Sequence, residues 1–242
     1  MTSLGARFRA VRDRGELALL VGALLTIVLA IAFLALAGNV LEGDTQHFDE
    51  RLLAALRSPD DPQRPIGPRW LPGAALDITA LGSAVVLGLA VLGIAGFLLL
   101  QGAWRSAVFV VAASSGGWVL NSLLKSAFGR ARPDVVPHLR EVMTLSFPSG
   151  HAMTSAAVYL TLGALLMRIA KRPLTKFYCM SAAMLITALV GASRVYLGVH
   201  YPTDVLAGWL GGLSWALVCW LVERALERRA GLKRERAKAQ AK

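Results

Sequence analysis

An all-α, polytopic membrane protein with six transmembrane helices is the fold class this sequence predicts, and three observations carry it. Hydrophobic residues make up 55% of the 242 positions and charged ones only 17%, with a mean hydropathy of +0.55, whereas ordinary soluble domains are about 25% charged. Uncharged runs long enough to cross a bilayer as helices recur along the chain. Lys and Arg gather in the tails and in short loops between those runs, as membrane topology requires. The formal net charge of +11 therefore gives no argument for nucleic acid, since no basic face with interleaved aromatics accompanies it.

Taken in order, residues 1–16 form a basic tail in which Arg7, Arg9, Arg12 and Arg14 accompany Leu4, Phe8 and Val11 at helical spacing. It either lies on the membrane surface with its arginines toward lipid head groups or is a frayed tail. Leu17–Ala37 is the first span. Its end, Ala35-Leu36-Ala37, resembles a signal-peptidase site, but the run exceeds the roughly 7–15 residues of a signal h-region, so a retained helix is expected. Residues 38–72 form an external loop. Within it Phe48, Leu52, Leu53 and Leu56 share a helical face opposite Asp49, Glu50 and Arg57, predicting a short amphipathic helix at the outer interface. Pro59, Pro62, Pro65 and Pro68 recur at every third residue, the period of an extended polyproline II segment. The loop reads as a lid or brace, or as a merely solvated connection.

Ile78–Leu100 is the second span, and Gln101-Gly102 turns it back into the third, Ser106–Leu124, to make an antiparallel hairpin. Ser114, Ser115, Gly116 and Gly117 would let a neighbouring helix come close. The fourth span runs from near His151 to near Arg168, Lys171-Arg172-Pro173 makes the turn, and Phe177–Ser193 and Val205–Val222 are the fifth and sixth. Gly208-x3-Gly212 in the last is a helix-packing pattern. Cys179 and Cys219 both lie inside apolar runs and read as small buried hydrophobes, with no disulfide and no cysteine-based metal site expected.

Orientation follows from charge. With a cytoplasmic amino terminus, 17 of the 26 Lys and Arg fall on the inner side and 9 on the outer, so both termini are expected in the cytoplasm; the expected location is a bacterial inner (plasma) membrane. The tail over residues 223–242, with Arg228, Arg229, Lys233, Arg234, Arg236 and Lys238, is then placed to hold anionic membrane lipids. Five of the outer cations, Lys125, Arg130, Arg132, Arg140 and Arg194, lie in or beside three polar clusters: Lys125-x6-Arg132-Pro133, Ser146-Phe-Pro-Ser-Gly-His151 and Ser193-Arg194-x5-His200-x3-Asp204. Charges at the ends of apolar segments are costly and need a reason. All three clusters adjoin outer ends of the third to sixth spans, so they meet at one outer membrane face. Together they supply cations, two imidazoles, a carboxylate and a glycine-containing turn, which suits holding a phosphate and breaking its ester by nucleophilic attack.

These three clusters, in this order, resemble the signature of the type 2 phosphatidic acid phosphatase family, which shares its active site with vanadium-dependent haloperoxidases and bacterial acid phosphatases. Every signature position is matched. The resemblance implies that His200 attacks phosphorus to form a phosphohistidine while His151 protonates the leaving oxygen and later activates water. Lys125, Arg132 and Arg194 would supply charge to the phosphate, Ser149 a hydroxyl, and Gly150 a backbone N–H at a helix start that tolerates close approach. For Lys125 and Arg132 the bland reading is interfacial snorkelling. Asp204 either accepts a hydrogen bond from His200 and fixes its tautomer or caps the sixth helix. No metal and no cofactor are implied, because protein cations can do the electrostatic work. His47 and His138 match no motif and read as surface residues, although His138, Arg140 and Glu141 lie where a head group could touch.

The expected activity is hydrolysis of phosphate from a lipid such as undecaprenyl diphosphate, phosphatidylglycerol phosphate or phosphatidic acid. Runners-up are a lipid phosphotransferase or lipid A phosphatase using the same residues, and a lipid-phosphate binder or transporter without turnover. A binder needs the cations but not a nucleophile with its orienting acid.

Overall fold

Apolar runs become helices because a bilayer offers backbone N–H and C=O groups no other partner. The protein is seen in a computed structural model that describes residues 2–140 and 144–240, with side chains from 15–140 and 144–229. The arginines of the first tail, Glu141 and the basic residues from Lys233 onward lie outside those described side chains. In chain order the elements are α1 (Thr2–Glu42), α2 (Gln46–Ala55), β1 (Arg57–Ser58), β2 (Asp61–Pro65), α3 (Leu71–Ala80), α4 (Ala84–Leu100), α5 (Trp104–Phe128), α6 (Gly150–Ile169), α7 (Pro173–Tyr196) and α8 (Pro202–Gln240). Helices α1, α5, α6, α7 and α8 each contain a stretch able to cross a membrane, and α3 with α4 makes a sixth if the bent pair is one span. This is the all-α, polytopic architecture that the hydropathy predicts, with five spans as single helices and the bent pair in the place of the sixth.

Helix α6 is the axis of the bundle, packed by α5, α7 and α8, and Ala152, Met153, Ala156 and Ala157 along it are almost wholly buried. Close approach requires small residues where no hydrophobic effect separates helix from lipid. A Cβ on Gly212 of α8 would stand 2.4 Å from the Met153 carbonyl oxygen, and one on Gly116 of α5 would stand 2.4 Å from the Trp215 ring. The Gly-x3-Gly and Ser-Ser-Gly-Gly patterns are thus contact seams, with Trp215 Nε1 donating to the Ala113 carbonyl at 2.7 Å across one of them. Most of α1 faces outward, but Phe33 closes an aromatic trio with Phe128 at 6.1 Å and Phe147 at 6.0 Å, which are themselves 5.0 Å apart edge to face. That trio ties α1 to the end of α5 and to the turn before α6.

Three local expectations are corrected. The run Ile78–Leu100 is a broken span: α3 and α4 meet at 46°, with Ser83 as an extended N-cap accepting from Val86 N–H at 3.3 Å. The proline-rich stretch is no polyproline segment but a small antiparallel hairpin, Arg57 opposite Pro65 and Ser58 opposite Asp61. Helix α2 turns the face carrying Asp49 inward: Asp49 and Leu53 are fully buried while Phe48 is 57% exposed. The physical reason is common to the last two. Buried partners elsewhere in the chain outweigh the local apolar pattern: Arg57 of the hairpin donates to the Tyr196 carbonyl at 3.1 Å and the Pro137 carbonyl at 3.4 Å, and Asp49 has its own partners described below.

Candidate active site

Each signature segment reaches the same end of the bundle by an identifiable turn. Helix α5 ends at Gly129, whose φ of +61° is the left-handed cap that glycine favours, so Lys125 sits on the last turn and Arg130 and Arg132 on the emerging loop. Ser146–Ser149 crosses beneath that loop, with Ser146 N–H donating to the Arg130 carbonyl at 2.8 Å and Ser149 N–H to the Asp204 carbonyl at 2.9 Å. Helix α6 then starts at Gly150, placing His151 in its first turn. Helix α7 ends with Arg194 in its last turn, and Gly198, at φ +74°, carries the chain through His200 into α8, whose first turn holds Asp204.

The sequence-predicted residues converge. Asp204 is fully buried and accepts from four directions: Ser146 Oγ, the Tyr201 N–H at 2.9 Å, His200 Nδ1 at a long 3.4 Å, and Arg130 Nη1 at 2.7 Å. His200, 1% exposed, meets Arg132 Nη1 through its other nitrogen, Nε2, at 3.2 Å. A guanidinium only donates, so Nε2 must offer its lone pair and the proton resides on Nδ1, toward Asp204. Burial pushes the His200 imidazole down to about 3; Asp204 opposes the shift, and Arg132 and Arg194 add to it. The ring is therefore neutral near pH 7, in the tautomer a nucleophile requires.

Cations surround that lone pair. Arg132 is fixed by Nε to the Thr144 carbonyl at 2.6 Å, by Nη2 to Thr144 Oγ1 at 2.9 Å, and by Nη1 to the Val199 carbonyl at 2.5 Å. Lys125 Nζ donates to the Leu145 carbonyl at 2.5 Å, and Arg194, 1% exposed, donates through Nη1 to Thr79 Oγ1 at 3.0 Å. By contrast Ser149 Oγ, His151 Nε2 and Arg194 Nε are buried with no hydrogen-bond partner. Buried polar atoms are nearly always paired, so this set is shaped for a ligand rich in acceptors and able to donate or accept at His151. A Cβ on Gly150 would stand 3.2 Å from Asn121 Nδ2 and 3.5 Å from Lys125 Cε, so glycine there is what lets both side chains lie over the start of α6. Among the described residues no three His, Cys, Asp or Glu side chains group as a metal site.

Several participants carry no motif. Asp49 of α2 accepts from Arg130 Nη2 at 2.8 Å, Thr203 N–H at 3.1 Å and Thr203 Oγ1 at 2.5 Å, so Arg130 bridges two buried carboxylates, Asp49 and Asp204, while lying 4.2 Å above the Tyr201 ring. Thr79 and Gly82 bring in the broken span: a Cβ on Gly82 would lie 2.4 Å from Val190 and 3.3 Å from the His151 side chain. Asn121, one turn before Lys125, is buried with its Oδ1 unpartnered. A polar Asn in an apolar run, and Gly-Ser inside the second span, were the available signals. Asp49 and Thr79 gave none. His138 is exposed and contacts the Pro133 carbonyl at 2.5 Å, and Arg140 is exposed.

Fold and likeness to known proteins together define a multi-pass membrane phosphatase, a phosphoric monoester hydrolase. Comparison with known proteins is specific: the chain belongs to the PAP2 superfamily, whose sequence model matches residues 103–228. It is 34% identical over 195 residues to phosphatidylglycerophosphatase B of Bacillus subtilis, covering 77% of this chain and 89% of that protein. The crystal structure of a transmembrane PAP2-type phosphatidylglycerolphosphate phosphatase from Bacillus subtilis superposes with a TM-score of 0.72 at 30% identity, over 83% of this chain and 96% of that one. A shorter match, 45% identical over 71 residues, covers 29% of this chain and 29% of undecaprenyl-diphosphatase from Sulfolobus acidocaldarius. The family that the three clusters resemble is thus the family to which the chain belongs.

Proposed function

We propose that this enzyme hydrolyses the terminal phosphate of a lipid through a phosphohistidine on His200, with phosphatidylglycerol phosphate the first candidate substrate. The observation that carries the reaction is the neutral His200 held with its Nε2 lone pair beside Arg132 and its Nδ1 toward Asp204. The choice of lipid rests on extent of likeness: the match to phosphatidylglycerophosphatase B runs through most of both chains, whereas that to undecaprenyl-diphosphatase covers under a third of each.

In this scheme Lys125, Arg132, Arg194, Ser149 Oγ and the Gly150 N–H bind the phosphoryl oxygens, whose charge grows on the equatorial atoms in the transition state. His200 Nε2 forms a bond to phosphorus as the P–O bond to the lipid breaks, and His151 gives its proton to the departing oxygen. Asp204 stabilises the positive charge that develops on the His200 ring. Water then loses a proton to His151 and attacks phosphorus, the N–P bond breaks, and inorganic phosphate leaves. Arg130 and Asp49 act through Asp204 as positioning residues. The site cations supply the charge, so no step calls for a metal. The site faces outward, with both termini in the cytoplasm.

The test is phosphate release by purified protein from phosphatidylglycerol phosphate, undecaprenyl diphosphate, phosphatidic acid and a soluble sugar phosphate, beside His200→Ala and with a strong chelator present. Release that prefers one lipid, survives chelation and vanishes in the variant fits the scheme. Acid-labile phosphate trapped on the parent but absent from His200→Ala identifies the intermediate. Residual turnover in the variant moves the nucleophile elsewhere. Orientation is checked by a Val135→Cys label, at an exposed outer-loop position, which should react with an impermeant reagent in intact cells.

A further inference from the structure

At the end of the bundle away from the phosphate site, helices α1, α6, α7 and α8 enclose a cavity of about 940 Å³. It exists because α7 and α8 are drawn together at one level and not below it. Trp209 of α8 donates from Nε1 to the Thr187 carbonyl at 3.1 Å, and its ring lies where a Cβ on Gly191 would be, 2.4 Å away. Beneath this roof the facing residues of α6 and α7 include Ala156, Ala164 and Ala188, too small to fill the gap, and Met180 and Met184 line the far wall. From Thr187 down to Lys176 helix α7 descends roughly 16 Å at about 1.5 Å per residue, the depth of one leaflet of a hydrocarbon core ~30 Å thick.

The rim has the opposite character. Arg168, Lys176 and Arg224 stand at the mouth, with Lys171 and Arg172 in the adjoining turn. Arg168 is held by Glu223 and Glu227, and Arg224 reaches Glu227 at 3.4 Å, while Lys176 has no carboxylate partner among the described residues. With Glu223 and Glu227 already engaged, the mouth keeps an excess of positive charge at head-group depth.

We infer that this cavity binds a diacyl anionic phospholipid of the leaflet opposite the phosphate site, its acyl chains against the alanine and methionine walls and its phosphodiester at Lys176, Arg168 and Arg224. An apolar recess one leaflet deep accepts chains, and a cationic mouth at its end selects the head group. A zwitterionic lipid would bring a further cation to that mouth, and a second copy of this chain would bring a second positive rim. The bound lipid bridges α7 to α1 and α8 below Trp209, and α7 is the helix that presents Arg194 at its other end. The inference is separable from the proposed reaction: phosphatidylglycerol is also the product of that reaction's first candidate substrate, but product held at the catalytic site would be unaffected by filling this cavity at Ala164 or Ala188.

The experiment is native mass spectrometry of the full chain released from nanodiscs containing equal phosphatidylglycerol and phosphatidylcholine. The variants are Ala164→Trp, Ala188→Trp, the pair Lys176→Gln with Arg224→Gln, and His200→Ala. The parent and His200→Ala should each retain one phosphatidylglycerol in preference to phosphatidylcholine. Filling the cavity from either wall should reduce retention several-fold, and the charge-neutralised pair should lose the head-group preference, with far-ultraviolet circular dichroism confirming that each variant is folded. Equal retention in folded Trp variants, no head-group preference in the parent, loss of the lipid in His200→Ala, or lipid-free dimers would each overturn the assignment.

Discussion

Two regions meet at the end of the bundle that carries the candidate site, and they differ in how they treat buried polarity. In the signature segments, Ser149 Oγ, His151 Nε2 and Arg194 Nε are left without partners. In the cap formed by α2 and the hairpin, Asp49 is saturated by Arg130 and Thr203, and Arg57, although its Nε is unpartnered, engages the Tyr196 and Pro137 carbonyls through its two terminal nitrogens. The first region is built to receive something; the second is built to hold the first. Arg130 is the hinge between them, one arm on Asp49 and the other on Asp204.

That contrast can be broken by substitution. The largest effect should come from the open side: His200→Ala should cost at least ~10⁴-fold in turnover, and His151→Ala about 10²–10⁴-fold, both read by phosphate release from lipid micelles. Comparable losses from changes in the cap alone would erase the distinction. Next, Asp49→Asn or Arg130→Met should lower kcat roughly ten-fold with little change in KM, since neither touches substrate. The two should be non-additive by about 1–2 kcal/mol in a double-mutant cycle, and additivity would mean that they act separately. Arg57→Met should leave kcat close to the parent value yet lower unfolding stability by ~1–3 kcal/mol, seen as a lower midpoint in detergent.

A further prediction concerns pH and, for the parent, leaves turnover near neutrality untouched. His200 has a folded-state value near 3 against an ordinary 6.5, so below 6.5 the unfolded chain takes up a proton that the folded chain refuses. Stability is then lost as pH falls from 6.5 toward 3. His200→Asn should flatten that slope by one proton, and an unchanged slope would mean that the ring is not buried neutral. For the same reason any acid limb of the parent's kcat/KM near pH 6 should belong to a group other than His200.

What the sequence made legible follows the same division. Lys125, Arg132, Ser149, His151, Arg194, His200 and Asp204, which the fold brings to one end of the bundle, could be picked out because they fall at fixed intervals along short polar segments of an otherwise apolar chain. Arg130 stood out only as an outer cation beside the clusters, and Asp49 and Thr79 could not be found at all, because their partners lie far away in the chain and nothing local distinguishes a buried Asp on an amphipathic helix from a solvated one. The facing of α2 was misread for that reason: Phe48 and Leu52 look like its anchor, but the carboxylate is the group that goes in. Likewise uncharged residues from 78 to 100 read as one span, since hydropathy is blind to a bend. Gly82 and Ser83 supply the break, and the packing of Val190 and His151 against Gly82 decides where it falls.

The aromatic trio of Phe33, Phe128 and Phe147 carries a consequence for the bilayer. Helix α1 packs along α8 and turns most of its surface outward, where it meets the thickness of the membrane, and Phe33 joins it to the end of α5 and to the turn that leads into Ser149 and His151. A tilt of α1 in response to hydrophobic mismatch should therefore reach the turn before α6. Turnover in vesicles should vary with acyl-chain length for the parent and level off in Phe33→Ala, whereas identical profiles would uncouple the helix from the site. The enzyme's surroundings then act on its rate by their thickness as well as by the substrate they contain.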